Sequence, residues 1–208
     1  MKLIGMLDSP YVRRTAISLE VLGVHFDHEA VSVFSTFEQF RAINPVVKAP
    51  TLVCDDGEVL MDSSLILQFV ESRHTRSLWS TDPTERQHDY RAVGLALAAC
   101  DKSVQIVYER NLRPKAAQHE PWVERVTGQA RAAYAGLEAE VQKRKEAFGT
   151  AHTHASIGAA VAWQFTQSML AAIVPAAQHP GLVELSARLE ASPEFRKYPP
   201  SGPGVPPP

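Results

Sequence analysis

Two short motifs carry the residues whose types and spacing best suit a chemical role. In the first, Lys48-Ala49-Pro50 comes directly before a short apolar run that is predicted to form a strand. Proline lacks the N–H that a sheet ladder needs, so this position leaves the preceding backbone turned away from the sheet. In the second, Asp62-Ser63 lies where a strand ends and a helix begins, and free N–H groups there favour a bound anion. Together the motifs predict a grip for an extended, charged, peptide-like ligand.

Ser9 is a third candidate, because it precedes Pro10 at the predicted start of the first helix. Serine is a favoured N-cap residue and proline suits the first helical turn, so a helix cap is a sufficient explanation of the pair. Asp62 and Ser63 can likewise be the cap of the helix that follows them. The residues alone leave the structural and the functional role open at all three positions.

The elements that must position these residues fall into two groups. Residues 1–75 predict the order β-α-β-(α)-β-β-α, with Asp55-Asp56-Gly57 joining two short strands as an antiparallel hairpin. From residue 84 onward the pattern predicts helices and no strand. The predicted helices are one from Asp82-Pro83 to Leu112, a second after Pro121, a nearly all-apolar one over 156–170, and a last one over 181–191.

This pattern predicts an α/β domain at residues 1–75 and an all-helical domain at 84–195, followed by a Pro/Gly-rich tail at 196–208. A net charge of −2 gives no reason to expect nucleic acid as a partner. No apolar run is long enough for a membrane span or a signal peptide, so we expect a cytoplasmic protein. The two cysteines, Cys54 and Cys100, are too far apart for a metal motif, and no metal is expected.

With these motifs in place, residues 1–195 resemble the glutathione S-transferase superfamily. The segment Ser9-Pro10-Tyr11-Val12-Arg13-Arg14 is similar to the Ser-Pro start of tau-type and related bacterial members. Lys48-Ala49-Pro50 and Asp62-Ser63 resemble two further motifs of that superfamily. The resemblance implies an α/β plus all-α fold, with a thioredoxin-like N-terminal domain (βαβ-ββα) and a C-terminal helical bundle. It also implies glutathione as co-substrate, a small electrophile as second substrate and a homodimer.

The resemblance implies a role for each candidate residue. The Ser9 hydroxyl would stabilise the glutathione thiolate, and the backbone of Ala49, freed by a cis Pro50, would pair with the cysteinyl moiety. Lys48 would bind the glycyl carboxylate, while Asp62 and Ser63 would bind the ammonium and carboxylate of the γ-glutamyl group. Residues near the end of the first long helix would line the electrophile pocket, and the candidates there are Tyr108 and Arg113.

Some positions depart from the family pattern. Ser156 stands where an aspartate usually completes a capping box with Thr153, and Thr36 stands where a glycyl-binding lysine is expected. Ser9 is not a cysteine, which argues against the thiol-exchange branches, because their chemistry needs a protein thiolate. We therefore expect a glutathione transferase that conjugates the thiolate to an electrophile. The alternatives are a glutathione-dependent disulfide or peroxide reductase without a protein thiol, and a non-catalytic glutathione-binding module.

Overall fold

The structure is a computed structural model that describes residues 1–150 and 152–205. The chain divides into two compact units. The first contains Met1–Leu78 and Pro193–Gly204, and the second contains Trp79–Ser192. The last three residues of the predicted tail, 206–208, lie outside the described residues.

The described residues of the first unit form one mixed sheet with the strand order β2-β1-β3-β4. Strand β2 runs parallel to β1, whereas β3 runs antiparallel to both β1 and β4. The hairpin predicted at Asp55-Asp56-Gly57 is therefore confirmed. The strands are β1 (Lys2–Ile4), β2 (Asp27–Glu29), β3 (Thr51–Val53) and β4 (Val59–Leu60).

Helices connect these strands in the predicted order, and the predicted thioredoxin-like fold is confirmed. The first helix begins at Pro10 and ends at Leu22, and it is followed by the C-cap Gly23, whose left-handed backbone (φ 76°) suits glycine. Its apolar residues pack into the core that the sheet also lines, and Ile17 and Leu52 are both fully buried there. The helices of this unit are α1 (Pro10–Leu22), α2 (Phe37–Ile43) and α3 (Ser63–Ser72), together with α9 (Pro193–Lys197), which follows the second unit in the sequence.

The described residues of the second unit form helices joined by loops, with no strand among them, as predicted. Its first helix has Asp82 as N-cap, with the carboxylate accepting a hydrogen bond from the Glu85 N–H at 2.9 Å, and it ends at Leu112, two residues before Pro114. This is the extent that the proline positions predict. The helices are α4 (Pro83–Leu112), α5 (Glu120–Lys143), α6 (Lys145–Thr150), α7 (His154–Leu170) and α8 (Pro180–Glu190), with short 3₁₀ turns at Lys115–Ala117 and Ala176–Gln178.

The start of α7 shows how the chain accommodates the missing aspartate. Thr153 Oγ1 accepts a hydrogen bond from the Ser156 N–H at 3.1 Å, and Ser156 Oγ accepts one from the Thr153 N–H at 2.9 Å. The reciprocal capping box is thus complete. Serine replaces the charged partner with a neutral one, so the cap keeps both hydrogen bonds and loses only the charge.

The structure differs from the expected separate tail at 196–208. Helix α9 and the residues up to Gly204 belong to the first unit, next to α1. The aromatic ring of Tyr198 stacks on Phe26 with 5.7 Å between centroids, and its backbone carbonyl accepts a hydrogen bond from Arg13 Nε at 2.8 Å. Prolines and glycines here shape an extended segment that is anchored by specific contacts.

Candidate functional site

The sheet brings the three predicted motifs to one edge. Ile4, the last residue of β1, pairs with Thr51, the first residue of β3. Leu52 pairs in turn with Leu60, the last residue of β4. The chain therefore meets the sheet at one and the same edge in three places. It leaves β1 toward Ser9, enters β3 from Lys48-Ala49-Pro50 and leaves β4 into Asp62-Ser63. This arrangement follows from the antiparallel pairing alone.

Ser9 occupies the N-cap position of α1, but its hydroxyl does not act as a cap. Its backbone is extended (φ −73°, ψ 123°), and its carbonyl accepts the first hydrogen bond of the helix from the Arg13 N–H at 3.0 Å. The side chain makes no capping hydrogen bond, and it has no other hydrogen-bond partner among residues 1–150 and 152–205. Ser9 is partly exposed, so its hydroxyl is available to a ligand at the helix N-terminus.

The Lys48-Ala49-Pro50 loop is held from below by a polar network. The Ala49–Pro50 peptide bond is cis, as the resemblance implies. Thr51 Oγ1 donates to the Lys48 carbonyl at 2.7 Å and accepts a hydrogen bond from Asn44 Nδ2 at 2.8 Å. Asn44 is buried, so this network is shielded from water and fixes the loop.

Lys48 itself is exposed, and no ion pair or hydrogen bond of its ammonium group is found in the part of the chain that the structure describes. Gly5 lies beneath the same loop. A Cβ at Gly5 would come within 2.6 Å of Val12 Cγ2 and 3.2 Å of Ala49 Cβ, and its φ of 141° is unfavourable for other residues. The close approach of the β1–α1 turn to the proline loop therefore requires glycine at this position.

Asp62 does cap the following helix, and it does so with one oxygen. Its Oδ1 accepts hydrogen bonds from the N–H groups of Ser64 at 2.9 Å and Leu65 at 3.3 Å. Within the described residues, Oδ2 has no hydrogen-bond partner. The side chain is partly exposed, so one carboxylate can serve as a cap and still offer an oxygen to a cationic ligand group.

Arg14 is the residue of the site to which the sequence assigned no binding role. It is only 4% exposed, and its Nη1 donates to Ser63 Oγ and Ser64 Oγ, each at 3.2 Å. A hydroxyl that accepts a hydrogen bond keeps its own hydrogen to donate, so Arg14 orients both serines without consuming them. The signal in the sequence is an arginine inside the apolar period of α1, where an unpartnered charge would be costly.

Tyr108 and Arg113, the predicted electrophile residues, belong to the second unit. Tyr108 is 39% exposed on α4. Arg113 follows the helix end, where its Nε contacts Glu109 Oε2 at 2.8 Å. The two residues are five positions apart, so they do not share one helix face, and the charge of Arg113 is already paired.

Neither cysteine is suited to act as a reactive thiol. Cys54 and Cys100 are both buried, and burial raises the pKa of the Cys54 thiol. Among the described residues there is also no group of three or more His, Cys, Asp or Glu side chains that could hold a metal ion. The groups that this edge does present are a hydroxyl, a carboxylate and an ammonium, and these act through hydrogen bonds and charge.

Comparison with known proteins places this geometry in a family. The glutathione S-transferase N-terminal domain family matches residues 3–77, the part that carries all the motifs above. A crystal structure of a glutathione S-transferase from Methylobacterium radiotolerans, in complex with glutathione sulfonate, superposes with a TM-score of 0.89. It is 28% identical and covers 98% of this chain and 96% of its own. Residues 3–77 therefore belong to the glutathione S-transferase superfamily, and the whole chain has the fold of its members.

Other members support the same assignment. A glutathione transferase family member from Pseudomonas fluorescens, with bound glutathione, has a TM-score of 0.84 at 26% identity and covers 97% of this chain and 99% of its own. The uncharacterized GST-like protein YibF of Escherichia coli is 31% identical over 121 residues, which is 58% of this chain and 59% of YibF. The chain thus spans less than two thirds of this curated relative. No helix among the described residues combines the length and apolar character needed to cross a membrane.

Proposed function

We propose that this member of the superfamily is a glutathione transferase, which conjugates the thiolate of glutathione to a small electrophile. The observation that supports it most directly is the Ser9 hydroxyl, which lies at the N-terminus of α1 and makes no capping bond. Because a serine at the N-cap position usually caps its helix with its side chain, the unused Ser9 hydroxyl suggests that it donates to another acceptor. The glutathione bound in a similar structure suggests that this acceptor is a thiolate.

The energy that this role needs is within reach of one hydroxyl and one helix end. A free thiol has a pKa of about 8.5, so ionisation at neutral pH requires a shift of one to two units, or roughly 1.4–2.7 kcal/mol. A charge-assisted hydrogen bond contributes about 1.5–3 kcal/mol, and a helix N-terminus adds about 0.3–1 kcal/mol. The serine stabilises the thiolate and need not be a nucleophile itself.

The other residues of the edge suit the two ends of the tripeptide. The exposed Lys48 would bind the glycyl carboxylate, and the backbone of Ala49, which precedes the cis Pro50, would pair with the cysteinyl unit. Asp62 would receive the γ-glutamyl ammonium on Oδ2, and Ser63 would donate to its carboxylate. An amino-acid group that carries both charges fits this neighbouring carboxylate and hydroxyl.

The remaining parts of the proposal follow from the family. Tyr108 and Arg113 are the proposed residues of the electrophile pocket, the proposed assembly is a homodimer, and the proposed location is the cytoplasm, where such conjugation detoxifies reactive compounds. Because Arg113 is paired with Glu109, we expect Tyr108 to matter more to the choice of electrophile.

Substitution of Ser9 tests the proposal. Ser9→Ala should raise the pKa of the bound glutathione thiol and lower kcat toward an aryl halide by about ten- to a hundredfold, the equivalent of the lost hydrogen bond. Ser9→Thr keeps a hydroxyl and should retain most of the activity. Ser72→Ala is the matched control, because Ser72 is an exposed serine at the far end of α3. The thiolate is followed by its ultraviolet absorbance in a pH titration of the complex.

The same assays identify the alternatives. Activity toward a disulfide substrate with none toward an aryl halide would indicate the glutathione-dependent reductase. Thermal stabilisation by glutathione without either activity would indicate a binding module. Absence of stabilisation at millimolar glutathione would refute all three readings, and an unchanged pH–rate profile in Ser9→Ala would refute the role of the hydroxyl.

A further inference from the structure

The C-terminal segment of the first unit runs along α1 toward the proposed catalytic serine. We name residues 198–204 the C-terminal strap. The strap begins beside the end of α1, where Tyr198 Oη donates to Glu20 Oε2 at 2.9 Å and Lys197 Nζ contacts the same oxygen at 2.7 Å. Farther along, the Tyr198 carbonyl accepts from the buried Arg13. These contacts fix the direction of the strap along the helix.

The far end of the strap closes on Asp8, the residue directly before Ser9. The Asp8 N–H donates to the Ser201 carbonyl at 3.0 Å, and Asp8 Oδ2 accepts from the Gly204 N–H at 2.9 Å. Asp8 is thus bound on both its backbone and its side chain. Burial under the strap raises the pKa of the Asp8 carboxyl, which is partly offset by the Gly204 N–H.

The contact between strap and Asp8 leaves no room for a side chain. A Cβ at Gly202 would lie 2.1 Å from Asp8 Oδ2 and 2.4 Å from Asp8 Cγ. Such distances are well inside van der Waals contact, so either the strap or Asp8 would have to move. Gly202 of the strap and the Asp8 side chain are therefore in direct contact.

We propose that the C-terminal strap, acting through Asp8, positions the Ser9 hydroxyl for the glutathione thiolate. Ser9 is held on both sides. Its own carbonyl accepts the first hydrogen bond of α1, and Asp8, the residue before it, is hydrogen-bonded to the strap. Asp8 is a positioning residue in this arrangement, and the strap completes the site from a distant part of the sequence, since Gly204 and Asp8 are 196 positions apart. The proposal rests on the proposed function of Ser9. A hydrogen bond to a thiolate depends steeply on geometry, so a small displacement of the hydroxyl is enough to weaken it.

The test uses Gly202→Ala in the full chain, with Gly128→Ala as the matched control, because a Cβ at the exposed Gly128 meets nothing within 4 Å. Gly202→Ala should raise the thiol pKa of bound glutathione by about one unit, which corresponds to roughly tenfold less thiolate below that pKa. The kcat should fall by a similar factor, whereas KM for glutathione should change less than about twofold, because the ends of the tripeptide bind elsewhere. Amide exchange at Asp8, measured by NMR, should become faster as its bond to the strap is lost.

A double substitution separates positioning from general damage. If the strap acts through the serine, Gly202→Ala should have no further effect on kcat in a Ser9→Ala background. Asp8→Ala, which removes the acceptor of the Gly204 N–H, should raise the thiol pKa in the same way. An unchanged thiol pKa in both variants, or an equal loss of kcat with and without Ser9, would overturn the proposal. Failure of the wild type to bind glutathione would refute the proposed function itself, whereas normal binding with insensitive variants would refute only the role of the strap.

Discussion

Asp62 has one observed role and one proposed role, and a pair of substitutions can separate them. Its Oδ1 caps α3 through the N–H groups of Ser64 and Leu65, and its Oδ2 is the proposed acceptor for the glutathione ammonium. Asp62→Asn keeps an oxygen of the same shape for the cap but removes the charge. Asp62→Ala removes both the cap and the charge. The two variants should therefore differ in stability and agree in the direction of their effect on binding.

The expected magnitudes follow from these contacts. Asparagine caps helices about as well as aspartate, whereas alanine costs about 0.5–2 kcal/mol, so only Asp62→Ala should lower the free energy of unfolding clearly. A hydrogen bond with one charged partner is worth about 1.5–3 kcal/mol and a neutral one about 0.5–1.5 kcal/mol. In Asp62→Asn the amide oxygen stays on the cap, so an NH2 group, which cannot accept a hydrogen bond, replaces Oδ2. The whole charge-assisted bond to the ammonium should therefore be lost, at a cost of about 1.5–3 kcal/mol, or about ten- to a hundredfold in Kd for glutathione.

Urea unfolding measures the stability, and isothermal titration calorimetry measures the binding. N-acetylated glutathione is the control ligand, because it lacks the ammonium and should bind wild type and Asp62→Asn with nearly equal affinity. Glutathione binding by Asp62→Asn that is as tight as in the wild type would show that Asp62 is only a helix cap. An equal loss of stability in both variants would contradict the assignment of the capping bonds.

Two further predictions concern the scaffold. Glu138→Ala should lower the free energy of unfolding, measured in urea, by about 2–3 kcal/mol. The reason is that the buried Glu138 carboxylate accepts hydrogen bonds from the N–H groups of Gly181 at 2.8 Å and Leu182 at 2.9 Å, at the start of α8. Glu184→Ala is the control, because Glu184 is exposed and its loss should change stability little. The hydrogen bond from Lys197 lowers the pKa of Glu20 below its ordinary value of 4.5 in the folded protein. The ionised Glu20 therefore stabilises the fold fully above pH 4.5, and this stabilisation is lost as the pH falls through the lowered pKa of the folded state. Urea unfolding between about pH 5 and pH 3 should therefore show a steeper loss of stability in wild type than in Glu20→Gln, and parallel curves would contradict this.

Local signals in the sequence account for the features that were predicted well. Asp82-Pro83 and Pro114 define the ends of α4 because capping and the restricted backbone of proline act within a few residues. Asp55-Asp56-Gly57 predicts the hairpin for the same reason, with Gly57 at a positive φ of 87°. The antiparallel pairing that follows then brings the candidate motifs to one edge without further information.

The contacts that were missed join residues far apart in the chain. Arg13 donates to a carbonyl 185 positions away, and Arg14 reaches Ser63 across 49 positions. A sequence shows that two adjacent arginines occupy a helix, but it does not show which distant acceptors neutralise them. The docking of the strap was missed for a similar reason, since its prolines and glycines indicate loop composition and carry no apolar period.

The two arginines explain why α1 can present Ser9 in a defined geometry. Neighbouring residues on a helix are about 100° apart, so Arg13 and Arg14 project in different directions. Arg13, 1% exposed, reaches the Tyr198 carbonyl and lies 5.5 Å from the centre of the Phe195 ring, while Arg14 reaches the start of α3. A buried guanidinium that loses its acceptors is costly, so each arginine makes a displacement of its partner segment unfavourable. Helix α1 therefore fixes the positions of three parts of the site: Ser9, the start of α3 that would bind the γ-glutamyl group, and the strap. For this reason, substitutions that displace any of them should change the pKa of the bound glutathione thiol.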